Sequence, residues 1–175
     1  AVDSYKKAIK NKPDDAEAYC NMGNAYQLKG DLNAAIENYQ HAIKLRPNLF
    51  VAYNNMGEAL QDKGDIDSAI ENYREAFKIK DDYAEAYVNM GNAFKEKGDL
   101  NKSIENYALA INAKPEYLEA YNNMGNAFLD QGDTDKAIEI FKQALQIKAD
   151  YAESHNGMGA ALRAKGDMEA AINCY

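Results

Sequence analysis

Apolar positions along the chain follow the helical rule i, i+3, i+4, i+7, and they do so twice in every 34 residues. In the first complete stretch Tyr19, Met22, Gly23 and Tyr26 form one stripe. Leu32, Ala35, Ile36, Tyr39, Ala42 and Ile43 form a second, over three turns. Lys29, Gly30 and Asp31 stand between them. A left-handed Gly30 would close the first helix, and Asp31 would cap the second. Asp14 with Glu17, Asp82 with Glu85 and Asp150 with Glu153 have the spacing of capping boxes and predict starts for the first helices. The second helices are expected to stop near Pro47 and Pro115. Where Asp81 or Ala149 takes that place, the stop must rest on other contacts.

The pattern is periodic. Gly23, Gly57, Gly91, Gly125 and Gly159 are each 34 residues apart, and so are Gly30, Gly64, Gly98, Gly132 and Gly166, each followed by Asp. These account for ten of the 11 glycines; Gly157 is the exception. A fixed period of this size signals stacked repeats, each a helical hairpin unable to bury its apolar face alone. The expected organisation is all-α, one array over 1–175. Residues 1–15 are the second helix of a partial unit. Complete repeats follow at 16–49, 50–83, 84–117 and 118–151, then a truncated fifth at 152–175.

The segment from Tyr19 to Tyr26 (YCNMGNAY), with Ala35, Tyr39 and Pro47, resembles the tetratricopeptide repeat, whose signature runs aromatic–x2–Leu–Gly–x2–Tyr, Ala–x3–aromatic and Pro. The likeness extends over the whole chain. Tyr or His155 replaces the usual Trp, and Met the usual Leu. The resemblance implies a right-handed α-solenoid, a superhelix of antiparallel helix-turn-helix repeats whose concave face holds peptides or partner proteins. The stretch from Ala120 to Asp133 (AYNNMGNAFLDQGD) is also similar to the repeats of O-linked N-acetylglucosamine transferases. That likeness implies a second reading, the substrate-recognition arm of a larger enzyme whose catalytic part lies elsewhere. A third reading is self-assembly: neither end carries a polar capping helix, so end-to-end association is expected of a free array.

The motif divides into two faces. Gly91 is expected where the helices of a hairpin cross, facing Ser103; Ala35, Ala69, Ala137 and Ala171 are the equivalents of that serine. Met22, Met56, Met90, Met124 and Met158 are in phase with the tyrosines and read as core. Asn21 stands about 200° around the helix from Gly23 and so points away from the core. Asn55, Asn89 and Asn123 repeat it. Asn24, Asn92 and Asn126 form a second row, interrupted by Glu58 and Ala160, while Gly157 ends the first. A carboxamide offers a donor and an acceptor together and can pair with a peptide group of any sequence. Bonding between repeats is the alternative use of the same groups.

Composition adds the electrostatics. With 28 Asp and Glu against 20 Lys and Arg, the net charge is −8. That argues against nucleic acid or an anionic membrane as partner. Glu17, Glu85, Glu119 and Glu153 flank the asparagines at the first turn, with Asp62, Glu96 and Asp130 near the last turn. Lys95 and Arg163 are the main opposing charges. The groove is expected to be acidic and to favour a neutral or basic segment. The candidate peptide site is Asn21, Asn24, Asn55, Glu58, Glu85, Asn89, Asn92, Glu119, Asn123 and Asn126.

Some tetratricopeptide domains clamp a chaperone's C-terminal carboxylate with Lys and Arg. Here those places hold Cys20, Asn54, Val88 and Asn122, so that partner is not expected. Cys20 reads as a groove residue, but no His accompanies it in the pattern. Cys20 and Cys174 suggest neither a disulfide framework nor a metal spacing, which fits a reducing, cytoplasmic compartment. No apolar run reaches the roughly 20 residues of a membrane span. His41 and His155 lie in different repeats, His155 in place of a core Tyr. The Asn101 sequon sits at a helix start, and Ser103 holds a small-residue position, so it reads as chance. No phosphate loop, metal cluster or nucleophile elbow appears, so neither a cofactor nor enzymatic chemistry is expected.

Overall fold

A computed structural model describes residues 2–174, and every regular element in that span is an α-helix. In chain order these are α1 (Val2–Asn11), α2 (Ala16–Gln27), α3 (Leu32–Leu45), α4 (Phe50–Asp62), α5 (Ile66–Ile79), α6 (Ala84–Glu96), α7 (Leu100–Ala113), α8 (Leu118–Gln131), α9 (Thr134–Ile147), α10 (Ala152–Lys165) and α11 (Met168–Ile172). The helices form tandem helix-turn-helix pairs, and they gather into two compact units, one up to Ala86 and one from Tyr87 onward.

Each Gly-Asp junction is built as its sequence demands. Gly132 closes α8 at φ +83°, a left-handed conformation that costs a glycine nothing, and its four counterparts share it. The aspartate that follows serves both helices. The Asp133 amide donates back to the Phe128 carbonyl at 2.9 Å, while its carboxylate accepts from the Lys136 amide at 3.2 Å. Asp31, Asp65, Asp99 and Asp167 cap α3, α5, α7 and α11 in the same way.

The first helices start differently from the capping-box expectation. Asp15, not Asp14, caps α2, accepting from Ala18 N at 3.1 Å. The corresponding N-caps of α4, α8 and α10 are Leu49, Tyr117 and Tyr151, which offer no side-chain cap, so Asp150 caps nothing. Leu49 and Tyr117 instead pack against the hydrophobic clusters. That docking also explains the common stop of the second helices. The helices α3, α5, α7 and α9 end at one register, with or without proline. Each is followed by a cationic C-cap, and Lys80, Lys114 and Lys148 sit over the rings of Tyr83, Tyr117 and Tyr151 at 5.7, 4.5 and 5.9 Å.

Packing of the glycine motif corrects one expectation. Ser103 is buried, but the group opposite Gly91 is the ring of Tyr107; an added Cβ would fall 2.5 Å from its Cε1. Gly23 and Gly57 face Tyr39 and Tyr73 alike, and Gly125 faces Phe141. These four rings are fully buried. The stray Gly157 also finds its reason: it too closes on Phe141, where a Cβ would lie 2.4 Å from Cζ. Met22 is buried, and Met56, Met124 and Met158 pack half-buried on the clusters, as core residues. His155 donates Nε2–H to the Ala149 carbonyl at 2.8 Å, the counterpart of Tyr121 Oη on Pro115 O.

Candidate functional site: carboxamides on the first helices

The two asparagine rows are only partly free. In the first unit α2 and α4 lie side by side, and Asn55 Nδ2 donates to Asn24 Oδ1 at 2.8 Å. The buried Tyr39 hydroxyl lies 2.8 Å from the same oxygen and 2.8 Å from Gln27 Oε1. In the second unit Asn123 Nδ2 donates to Asn92 Oδ1 at 3.3 Å, and Tyr107 Oη donates to it at 2.6 Å. The carboxamide oxygens of Asn24 and Asn92 are therefore structural: each satisfies a core tyrosine and ties one repeat to the next. Where Glu58 interrupts the row, Tyr73 Oη donates to Gln61 Oε1 at 3.0 Å.

The last full repeat breaks this network in both halves at once. Phe141 replaces the tyrosine and Gly157 replaces the next asparagine, so Asn126 has lost the hydroxyl and the carboxamide that would hold its oxygen. The side chain of half-buried Asn126 makes no hydrogen bond among the described residues, and neither does that of exposed Asn21. Asn89 is half-buried. The tyrosine partners lie 15 residues downstream of their asparagines, a spacing the repeat makes visible but does not interpret.

The acids differ in their availability. Glu58 accepts from the buried Asn54 amide at 2.8 Å, and Asp62 from Gln27 Nε2 at 3.0 Å. Glu85 is half-buried; Glu119 is exposed and accepts from Tyr117 Oη at 3.1 Å. Glu17 is bridged by Arg46 at 2.7 Å, and Asp130 by Lys95 at 2.8 Å. Burial chiefly, then Cys20, Glu58 and Asp62, pushes the Tyr39 phenol well above its ordinary range. Burial, with Glu85 and Glu58, raises Tyr83 to about 12.

The four positions compared with a carboxylate clamp hold no cation. Cys20, Asn54 and Val88 are 5, 2 and 1% exposed, and Asn122 is half-buried. Cys20 belongs to the cluster around Tyr39, and burial followed by Glu17 raises its thiol to about 11. Among the described residues no group of His, Cys, Asp and Glu could hold a metal ion, and no helix is long and apolar enough to cross a membrane.

The first unit also has an open recess of about 480 Å³, lined by Asn24, Gln27, Leu28, Asn55, Glu58 and Asp62. Gln27 and Leu28 carry no signal of this in the sequence, since neither belongs to the asparagine rows or to the apolar stripes.

Tandem helical hairpins that pack on each other and leave a polar face of carboxamides and carboxylates define a helical-repeat interaction scaffold. The chain belongs to the tetratricopeptide repeat family, whose pattern it matches over residues 14–82, 48–116, 82–150 and 116–175. Repeats of this family are generally non-catalytic scaffolds. Among solved structures the MamA protein is similar at 27% identity and a TM-score of 0.78, over 91% of this chain and 87% of that one. YrrB, described as a TPR protein with an unusual peptide-binding site, has a TM-score of 0.75 at 20% identity, over 99% of this chain and 90% of that one. PilF from Pseudomonas aeruginosa has a TM-score of 0.82 at 20% identity, over 91% of this chain and 73% of that one. No curated protein sequence gives a match.

Proposed function

We propose that this chain binds extended protein segments, neutral to basic in charge, on the exposed faces of the first helices of each unit. The observation that carries the reading is the division among the asparagines. Two oxygens are consumed by the framework, while Asn21 and Asn126 keep whole carboxamides available. Groups with nothing to do in the fold stand beside groups of the same type that hold it together. A peptide backbone supplies the matching donor and acceptor at each residue, with no demand on its sequence. Exposed Glu119 and Asp62, the latter met only by the neutral amide of Gln27, supply the charge preference. A free carboxylate tail suits this face poorly, because the recess of the first unit has no cation in its lining.

The test is a random peptide library selected on the whole chain, followed by NMR mapping of a selected peptide. Shifts should concentrate on α2, α4, α6 and α8. Asn21→Ala with Asn126→Ala should weaken binding about tenfold while leaving the melting temperature in place. Binding confined to the second helices, or indifferent to both substitutions, would overturn the proposal.

A further inference from the structure

The first unit carries a second, smaller recess of about 280 Å³, at the first half of α2 and the start of α4. It is lined by Glu17, Cys20, Asn21, Leu49 and Val51. Leu49 and Val51 are half-buried and pack on the cluster that contains buried Cys20, so the inner side of the recess is apolar. The lining is also neutral. Glu17 is its one carboxylate, and Arg46 bridges it at 2.7 Å. Burial keeps the Cys20 thiol protonated at neutral pH. On the outer side stands the exposed carboxamide of Asn21, which makes no hydrogen bond among the described residues. The aliphatic pair is peculiar to this repeat. One, two and three repeat lengths on, Leu49 is replaced by Tyr83, Tyr117 and Tyr151, and Val51 by Glu85, Glu119 and Glu153. In a chain of net charge −8, a neutral apolar recess beside an unused carboxamide matches a residue with an uncharged aliphatic side chain and an ordinary peptide group.

Resting on the function proposed above, we infer that this recess is the anchor pocket for an aliphatic side chain, of the leucine, isoleucine or methionine kind, on the bound segment. The side chain covers Leu49 and Val51. The Asn21 carboxamide accepts from the segment's backbone N–H and donates to its C=O. The recess supplies a side-chain preference, and Asn21 supplies a hold that is indifferent to sequence. A charged head finds no counter-ion in the lining, because Glu17 already has Arg46.

The probes are Nα-acetyl-leucine methylamide and its alanine and lysine counterparts, titrated into the isotope-labelled whole chain. The leucine probe should shift the Leu49 and Val51 methyls and the Asn21 side-chain amide. It should bind about tenfold more tightly than alanine, an open recess realising roughly half the burial gain of three extra carbons. Lysine should stay weaker than leucine, and the leucine preference should persist at roughly 1 M salt, because screening acts on charges. Val51→Glu, which installs the residue of the later repeats, should abolish the preference. Val51→Thr, close to valine in shape, should cut it about threefold, and an unchanged amide fingerprint outside α2 and α4 verifies the fold of both. Asn21→Ala should weaken leucine and alanine alike and leave their ratio in place. Equal binding of leucine and alanine, no shift of the Leu49 and Val51 methyls, or a full leucine preference in either Val51 variant would overturn the inference. Library peptides that lie on α2 and α4 without an aliphatic residue at this recess would overturn it too, while leaving the proposed function standing. Peptides found only on the second helices would overturn the function itself.

Discussion

Replacing Gly91 with alanine sets two effects against each other that the structure puts on one scale. In an exposed helix interior the change stabilises by about 1 kcal/mol, because alanine loses less backbone freedom. Here the new Cβ would lie 2.5 Å from Cε1, 2.7 Å from Cδ1 and 3.1 Å from Cζ of Tyr107. Ordinary contact begins at 3.4 Å, so the ring or the helix must retreat about 0.9 Å (3.4 less 2.5). The ring has nowhere to go: it is fully buried, and its hydroxyl is held by Asn92 at 2.6 Å. Overpacking of a fixed core costs about 1–3 kcal/mol, and this site belongs at the upper end. The balance is a loss of about 2 kcal/mol, or roughly 4–8 °C in melting temperature for a chain of this size. The assay is far-ultraviolet circular dichroism through a thermal melt, run as a double-mutant cycle with Tyr107→Leu, which removes Cε1 and Cζ. The pair should be coupled by about 1–2 kcal/mol, the double variant being less unstable than the two losses summed. Gly98→Ala serves as control. It meets open space but needs a left-handed alanine, so its loss should be additive with Tyr107→Leu. A Gly91→Ala protein that melts higher than the parent, or a cycle without coupling, would refute the packing argument.

Other changes separate framework from site. Asn92→Ala strands the buried Tyr107 hydroxyl and should cost about 1–3 kcal/mol in a denaturant titration, whereas Asn126→Ala should stay within about 0.5 kcal/mol. Asp15→Ala should lower the melting temperature by about 2–4 °C and Asp14→Ala should not, because only Asp15 caps α2. The folded Tyr83 phenol, at about 12, lies above its unfolded value of roughly 10. The stabilisation held by its neutral form is thus complete below about pH 10 and lost as pH rises through about 12. Tyr83→Phe should accordingly shift alkaline unfolding, followed by tyrosinate absorbance, to higher pH.

Much of the fold is legible in the chain itself. Gly30, Asp31 and their counterparts announce a left-handed turn and a cap by local chemistry alone, and the 34-residue period fixes how many hairpins there are. The starts of α4, α8 and α10 are not legible in the same way. Capping-box spacing marks Asp150, but Tyr151 holds that place; at the equivalent Leu49 and Tyr117 the side chain packs on a hydrophobic cluster, and burial outweighs one exposed hydrogen bond. The asparagines divide along the same line. Helical periodicity places them opposite the core, since their direction follows from 3.6 residues per turn. It cannot tell Asn92, whose oxygen is claimed by Tyr107 and Asn123, from Asn126, whose claimants have become Phe141 and Gly157. Those partners come from the second helix and the next repeat, and only folding brings them within bonding distance. The recess beside Leu28 is of the same kind: its six residues come from two helices, and their joint charge exists only once α2 and α4 lie side by side. Sequence determined the repeat and its two faces because both are local and periodic. Tertiary structure decided which polar groups are consumed by the fold and which remain for a partner.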